Sequence, residues 1–318
     1  MAIIRKEAYF SSSNSMSKVR TLIWQDDKIS PIGVVQIAHG VCEHIGRYDD
    51  FARFLAENGF VVCGNDHIGH GKTADSAEDL GFMFEGDHAN MVRDMNTLHN
   101  IMAKRHTGLP YIVLGHSMGS FLARIYTAAF GDRLSGAVFV GTGQVPLAVM
   151  ALEDPIGYLM DKVAVNSGIP QNIVSLFEKA TNKFYKGDDN LSWLSISQAN
   201  RDAYREDPLC GFAFTPQLVK ELVTLAVKVS LPDWASKVPA DLPVMIVSGA
   251  KDPIGMFGRG VLAVSDALAA AGNEPEVILY PADRHEILNE EDKDKVYGDI
   301  LRFLKGIVDG TDCEGTAE

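Results

Sequence analysis

Four cysteines stand in the 318 residues, at Cys42, Cys63, Cys210 and Cys313, and no two share a C-x-x-C spacing. That excludes a zinc knuckle or a dithiol redox motif and leaves them reading as free thiols. Apolar runs are short: none approaches the ~20 residues of a membrane-spanning helix, and Met1-Ala-Ile-Ile-Arg-Lys-Glu lacks the apolar core of a secretory leader. The expectation is a soluble, cytoplasmic protein with no stable membrane insertion. Basic charge is scarce. Against 42 Asp and Glu there are 29 Lys and Arg, a formal net charge of −13, which argues against nucleic acid as a partner and against electrostatic docking on anionic lipid. Internal repeats and low-complexity tracts are missing. Histidine is nearly missing from the second half: of nine, eight lie at or before position 116 and His285 alone follows.

What is present is a chain with 46% hydrophobic residues, enough to bury a large core and an insertion. Strand-like and helix-like segments alternate, which predicts an α/β fold with a mostly parallel central sheet and helices on both faces. Glu7 to Phe10 and Thr21 to Gln25 flank a polar turn and predict an antiparallel start. Strands follow at Gly33 to Ala38, Phe60 to Asn65, Tyr111 to Leu114, Gly136 to Val140, and in the runs from Pro243 and Val277. Helices are expected at Arg47 to Glu57, Ala89 to Arg105 and Ser120 to Phe130. From Leu147 to Trp234 the alternation stops and the pattern is helical. The expected organisation is a core over 1–146 and 235–308, an inserted helical cap over 147–234 and a disordered tail over 309–318.

The strand at Tyr111 runs directly into Gly115-His116-Ser117-Met118-Gly119 and then a helical stretch, the context in which G-x-S-x-G presents a nucleophile. Ser117 must sit on a strained backbone with its hydroxyl outward, and the flanking glycines let strand and helix pass closely. Hydrolases with this turn order their triad as Ser, then Asp or Glu, then His. His285 is therefore the candidate base. The acid should end the preceding strand, and Asp252 stands at the tip of the turn after Pro243 to Ser248. Asp233 and Asp241 precede that strand, Asp266 falls in a helical stretch, and Asp283 lies close to the histidine in sequence. An oxyanion hole needs two backbone N–H groups, one after the nucleophile and one from an early strand-terminating loop. Met118 and Val41 are the candidates, with Gly40 letting the chain turn inward.

His39-Gly-Val-Cys-Glu-His44-Ile-Gly-Arg-Tyr48, Asp66-His-Ile-Gly-His-Gly71, Gly115-His-Ser-Met-Gly119, Asp252 and His285 together resemble the monoacylglycerol lipase and lysophospholipase branch of the α/β-hydrolases, over about positions 20 to 308. The H-G-x-x-E-H-x-x-R-Y signature is the most specific piece. Cys42 departs from the branch, which often carries Gly there, so the loop beside the hole is expected to differ slightly. The insert around Trp193-Leu-Ser and Asp207-Pro-Leu-Cys-Gly-Phe212 resembles the lid of bacterial members. The resemblance implies an α/β-hydrolase fold and a small-molecule ester partner with an apolar acyl chain: a monoacylglycerol, a lysophospholipid or a simple carboxylic ester.

No cofactor and no metal is expected. Asp66-His-Ile-Gly-His70 lacks H-E-x-x-H spacing, and Gly255-Met-Phe-Gly258-Arg-Gly260 lacks the Lys-Ser/Thr ending of a phosphate loop and reads as the turn into the next helix. Cap residues from Leu147 to Met160, with Phe177, Phe184, Trp193, Phe212 and Phe214, read chiefly as packing, some of them facing the site. Two rival readings remain open. A peptidase of the same fold would need acidic cap groups for a free amine, which Glu153, Asp154, Asp161 and Glu178 would supply; a non-catalytic relative would carry a damaged triad, whereas all three members are present.

Overall fold

The computed structural model describes residues 3–144, 182–185 and 189–314. Its strands are β1 (Ile3–Ser11), β2 (Lys18–Asp26), β3 (Gly33–Ala38), β4 (Phe60–Asn65), β5 (Tyr111–His116), β6 (Gly136–Val140), β7 (Val244–Gly249) and β8 (Glu276–Tyr280). They form one sheet in the order β1-β2-β4-β3-β5-β6-β7-β8. The antiparallel start is as expected: β1 pairs with β2 and β2 with β4 antiparallel, and every later pairing is parallel. Every residue of β3, β4, β5 and β7 is buried, the condition of parallel strands covered on both faces.

Side-chain alternation divides these strands between two cores. On β5, Tyr111 and Val113 join a core on one face, and Ile112 and Leu114 join the core on the other. Helices α2 (Asp87–Arg105), α3 (Met118–Phe130), α5 (Pro216–Ser230) and α6 (Arg259–Ala270) cover the first face through residues such as Met95, Leu122, Leu225 and Val264. Helices α1 (Asp49–Glu57) and α7 (Lys293–Glu314) cover the second through Phe51, Leu55, Val296 and Ile300. Each fully buried aliphatic or phenyl side chain gains about 1.5–3 kcal/mol from leaving water. The chain reverses its direction of travel across the sheet between β3 and β5, and a doubly wound sheet opens a crevice at the carboxyl ends of the strands at such a point.

Two helix ends differ from expectation. A 3₁₀ turn, Ile45–Tyr48, capped by the His44 side chain, precedes α1, so the regular helix opens at Asp49 rather than Arg47. Helix α7 continues to Glu314 in place of a disordered segment from 309, and 315–318 lie outside the described residues. Its packed residues Ile307 and Val308 anchor the last turns, and helix propagates onward at one hydrogen bond per residue. Of the expected cap, 147–181 and 186–188 lie outside the described residues. The described part includes α4 (Gln198–Glu206) and α5. Helix α5 packs against α2 and α3 and contributes Leu218, Leu225 and Val229 to the core. Among the described residues no helix is long and apolar enough to cross a membrane.

Candidate active site

Ser117 closes β5 and caps α3 with φ 54° and ψ −121°, a region a side-chain-bearing residue enters at a cost of about 1–3 kcal/mol. The surroundings enforce it. A Cβ on Gly115 would sit 2.1 Å from the Gly119 carbonyl oxygen, and one on Gly119 would sit 2.1 Å from that of Ala38. The Ser117 N–H donates to the Val140 carbonyl at 3.0 Å, tying the turn to β6.

The loop after β8 delivers His285 and the turn after β7 delivers Asp252. His285 Nδ1 lies 2.8 Å from Asp252 Oδ2, with the two residues 2% and 0% exposed. An ionised carboxylate only accepts, so Nδ1 carries the proton and Nε2 is left with the free lone pair. Asp252 Oδ1 accepts from the Ile254 N–H at 2.8 Å, and the Ser248 hydroxyl reaches Oδ2 at 3.5 Å. The Trp193 indole and the His116 ring lie on the imidazole at centroid distances of 5.3 and 4.9 Å. Asp283 is not brought to His285 Nδ1. Its carboxyl is buried, neither oxygen has a hydrogen-bond donor among the described residues, and burial beside Asp292 and Glu290 pushes its pKa up to about 7.

Val41 and Met118 line the same cavity as Ser117 and His285. Among the described residues neither N–H has a hydrogen-bond acceptor, the state required of donors kept for a developing oxyanion. Cys42, the departure from the family pattern, has φ 55°, left-handed backbone that glycine enters freely and other residues seldom do. Three bonds hold it there. Its carbonyl accepts from the Gly211 N–H (2.9 Å) and the Tyr204 hydroxyl (3.0 Å), and its thiol reaches the Phe212 carbonyl at 3.4 Å.

Sequence reasoning assigned no role to the charged residues behind this loop. Glu43, 3% exposed, accepts at Oε1 from the Gly40 N–H (2.5 Å) and the Tyr48 hydroxyl (2.7 Å), and at Oε2 from Arg47 (2.7 Å). Arg47 also pairs with both carboxylate oxygens of Glu286 and donates to Asn200 Oδ1 at 3.0 Å. Burial opposes the Glu43 charge, but the bonds from His116 and Arg47 hold its carboxyl well below the usual carboxylate range. The one signal for Glu43 and Arg47 was their place in the signature after β3; Glu286 had none.

Among the described residues His39, His67 and His70 join no group of three metal-ligating side chains. Both ring nitrogens of His39 are engaged, with the Gly40 carbonyl (2.7 Å) and the His67 N–H (2.9 Å), and burial lowers the pKa of His39, His67 and His70. Candidate ligand atoms of His44, Asp207 and Cys210 lie within 4.8 Å of one another. The Gly46 N–H donates to His44 Nδ1 at 3.1 Å, so Nε2 holds the ring proton and spends it on Asp207 at 2.8 Å. The glycine segment after Asp252 is a turn that leads into α6, with Gly258 as its N-cap.

The cavity encloses about 840 Å³, inside the ~300–1,000 Å³ of typical small-molecule sites. Its apolar wall includes Phe121, Trp193, Leu194, Phe212, Phe214 and Leu222. Trp193, Phe212 and Phe214 thus face the site. Phe184 stands at the rim, 54% exposed, edge-on to Phe257. Phe177 and the stretch from Leu147 to Met160 lie outside the described residues.

A G-x-S-x-G turn after β5, a carboxylate and a histidine on the loops after β7 and β8, and a sheet with this strand order are the arrangement of the α/β-hydrolase fold, and the chain is a serine hydrolase of that class. Within that class the chain belongs to the family described as serine aminopeptidase, S33, whose model matches residues 29–292. A thermostable carboxyl esterase from Bacillus coagulans, solved in complex with glycerol, is 32% identical and superposes with a TM-score of 0.88 over 97% of this chain and 99% of that one. The monoacylglycerol lipase of Mycolicibacterium smegmatis is 28% identical over 89% of this chain and 91% of its own. Human monoglyceride lipase is 29% identical over 57% of this chain and 53% of its own.

Proposed function

We propose that the protein hydrolyses carboxylic esters carrying one apolar acyl chain, monoacylglycerols and lysophospholipids among them, through an acyl-enzyme on Ser117. The observation that carries this reading is the buried Asp252–His285 pair at 2.8 Å, opening on a cavity shared with Ser117 and walled by apolar side chains. His285 Nε2 takes the hydroxyl proton as Ser117 Oγ attacks the ester carbonyl, and the Val41 and Met118 N–H groups receive the oxyanion. His285 returns the proton to the departing alcohol. Water, deprotonated by the same nitrogen, then attacks the acyl-enzyme, and collapse of the second tetrahedral species restores Ser117 and releases the acid.

The relatives named above are an esterase and monoacylglycerol lipases, which supports an ester over a peptide substrate. So does the charge of the cavity. Its described acids are paired within the fold, Glu43 and Glu286 with Arg47, and Asp189 with Arg201 and Arg205. A peptidase holding a free amine needs an unneutralised carboxylate. The acids considered for that role, Glu153, Asp154, Asp161 and Glu178, lie outside the described residues. We assign 147–234 to an inserted segment that caps the core formed by the flanking segments, with its last helix, α5, packed onto that core, and the cytoplasm as location, the latter on the free, buried thiols of Cys42, Cys63 and Cys210.

A fluorophosphonate probe tests the nucleophile, and a panel of monoacylglycerols, lysolipids, short esters and aminoacyl amides tests the class. The wild type is labelled at Ser117, Ser117→Ala is not, and turnover is confined to the esters. Labelling elsewhere, or preference for the amides, defeats the proposal.

A further inference from the structure

Behind the reacting groups lies a closed ring of buried charge. Glu43 grips the Gly40 N–H of the oxyanion loop; Arg47 joins Glu43 to Glu286; Glu286 is the chain neighbour of His285; and His116 returns from His285 to Glu43. The last link is made by both ring nitrogens. His116 Nε2 lies 3.2 Å from the main-chain carbonyl of His285, and Nδ1 lies 3.0 Å from the Tyr48 hydroxyl and 3.4 Å from Glu43 Oε1.

Proton counting decides its state. A carbonyl oxygen only accepts, so Nε2 carries hydrogen. The Tyr48 proton goes to Glu43 at 2.7 Å, so the phenol offers Nδ1 a lone pair, and Nδ1 must donate as well. Charge counting agrees. Two carboxylates, each 3% exposed, face one guanidinium, and an unbalanced buried charge is costly. A positive His116 makes the ring neutral. The groups facing His116 are Glu43, Arg47 and Tyr48 after β3, and His285 and Glu286 after β8; burial depresses its pKa, but the bond and charge of Glu43, with Glu286, raise it above the ordinary imidazole value.

We propose that Glu43 and His116 act together as positioning residues: His116, protonated on both nitrogens, ties the His285 main chain to the carboxylate that holds the oxyanion loop, so the hole and the general base form one rigid body. Neither residue receives a substrate proton. Their effect is to keep the Val41 N–H, Ser117 and His285 in register, where a misplacement of about 1 Å costs on the order of 10²-fold in rate. This inference rests on the roles assigned above to Ser117 and His285, but its first test does not.

That test is nitrogen-15 NMR of the histidine side chains in the unmodified protein, with His116 assigned through its own backbone resonances. At pH 7 both His116 nitrogens give the protonated signature, and this signature is lost in Glu43→Gln. A neutral His116 at pH 7 overturns the proposal whatever the enzyme's activity. The second test is kinetic. Glu43→Gln and His116→Gln each lower kcat on the order of 10²-fold with KM nearly unchanged, and the double variant loses little more than either alone, because both break one link. In His116→Gln the positive charge beside His285 is gone, the base is protonated more readily, and the acid limb of kcat/KM moves to higher pH. Additive losses, or an unmoved acid limb in a folded variant, reduce both residues to ordinary structure and overturn the inference.

Discussion

Asp252→Asn is the sharpest test of the site, because the geometry supplies its magnitude. In wild type a carboxylate oxygen meets His285 Nδ1 at 2.8 Å inside a pair 0% and 2% exposed. When Ser117 gives up its proton the imidazole becomes positive, and a unit charge about 4 Å from another at an effective dielectric near 20 is worth about 4 kcal/mol. At about 1.36 kcal/mol per tenfold, that alone is on the order of 10³ in kcat. A second loss adds to it. The asparagine amide can donate to Nδ1, which moves the ring proton to Nε2 and removes the lone pair that should accept from Ser117, bringing the expected loss to about 10⁴-fold. The assay is kcat on a soluble monoacylglycerol by pH-stat, with the melting temperature and fluorophosphonate labelling as checks on folding. Turnover within tenfold of wild type in a folded variant refutes the assignment, most sharply if Asp283→Asn is the variant that fails.

The elbow glycines are predicted to tolerate no Cβ: Gly119→Ala meets backbone at 2.1 Å, so both labelling at Ser117 and thermal stability fall, and an active, equally stable variant contradicts the geometry. Asp283, buried with its pKa raised to about 7, contributes stability that is complete below the unfolded carboxylate value and is lost as pH rises through 7. Asp283→Asn should therefore leave the melting temperature unchanged near pH 4, raise it above pH 7 and keep activity; thermal melts showing a pH-independent difference reject the cause given. Across a ladder of monoacylglycerols, kcat/KM is expected to rise from acetate to medium chains, with triglyceride a poor substrate because one cavity of about 840 Å³ admits a single chain. Phe212→Ala should shift that preference, whereas Trp193→Ala, whose ring lies on His285, should depress every substrate, and a flat ladder would indicate an open esterase.

Much of the architecture was legible because its cause is local. Val34 to Ala38, broken only by Gln36, and Tyr111 to Leu114 read as strands through apolar runs between turn residues, and both are buried on two faces. Ser117 was legible because strand, turn and helix follow without a break. His285 and Asp252 were candidates for a different reason: a fixed chain order and a single late histidine singled out the base, the end of a buried strand favoured this acid over the other aspartates, and the structure sets the two 2.8 Å apart. The start of α1 was misplaced because a 3₁₀ turn and an α-helix share their first residues' preferences. The end of α7 was misplaced because Ile307 and Val308 anchor a helix whose last turns, with Gly310 among them, have weak propensity of their own.

By itself, then, the sequence determined the element order, the nucleophile turn and the chemistry available to it, since periodicity, glycine placement and residue type are properties of short segments. Tertiary structure decided the rest. Cys42 adopts left-handed backbone only because Tyr204, Gly211 and Phe212 arrive from a segment more than a hundred and fifty positions away. Glu43, Arg47, His116, Asn200 and Glu286 are ordinary polar residues until the sheet closes and removes water from among them. Once dry, each charge must find its opposite within hydrogen-bond reach, and which partners meet is set by how the strands are ordered.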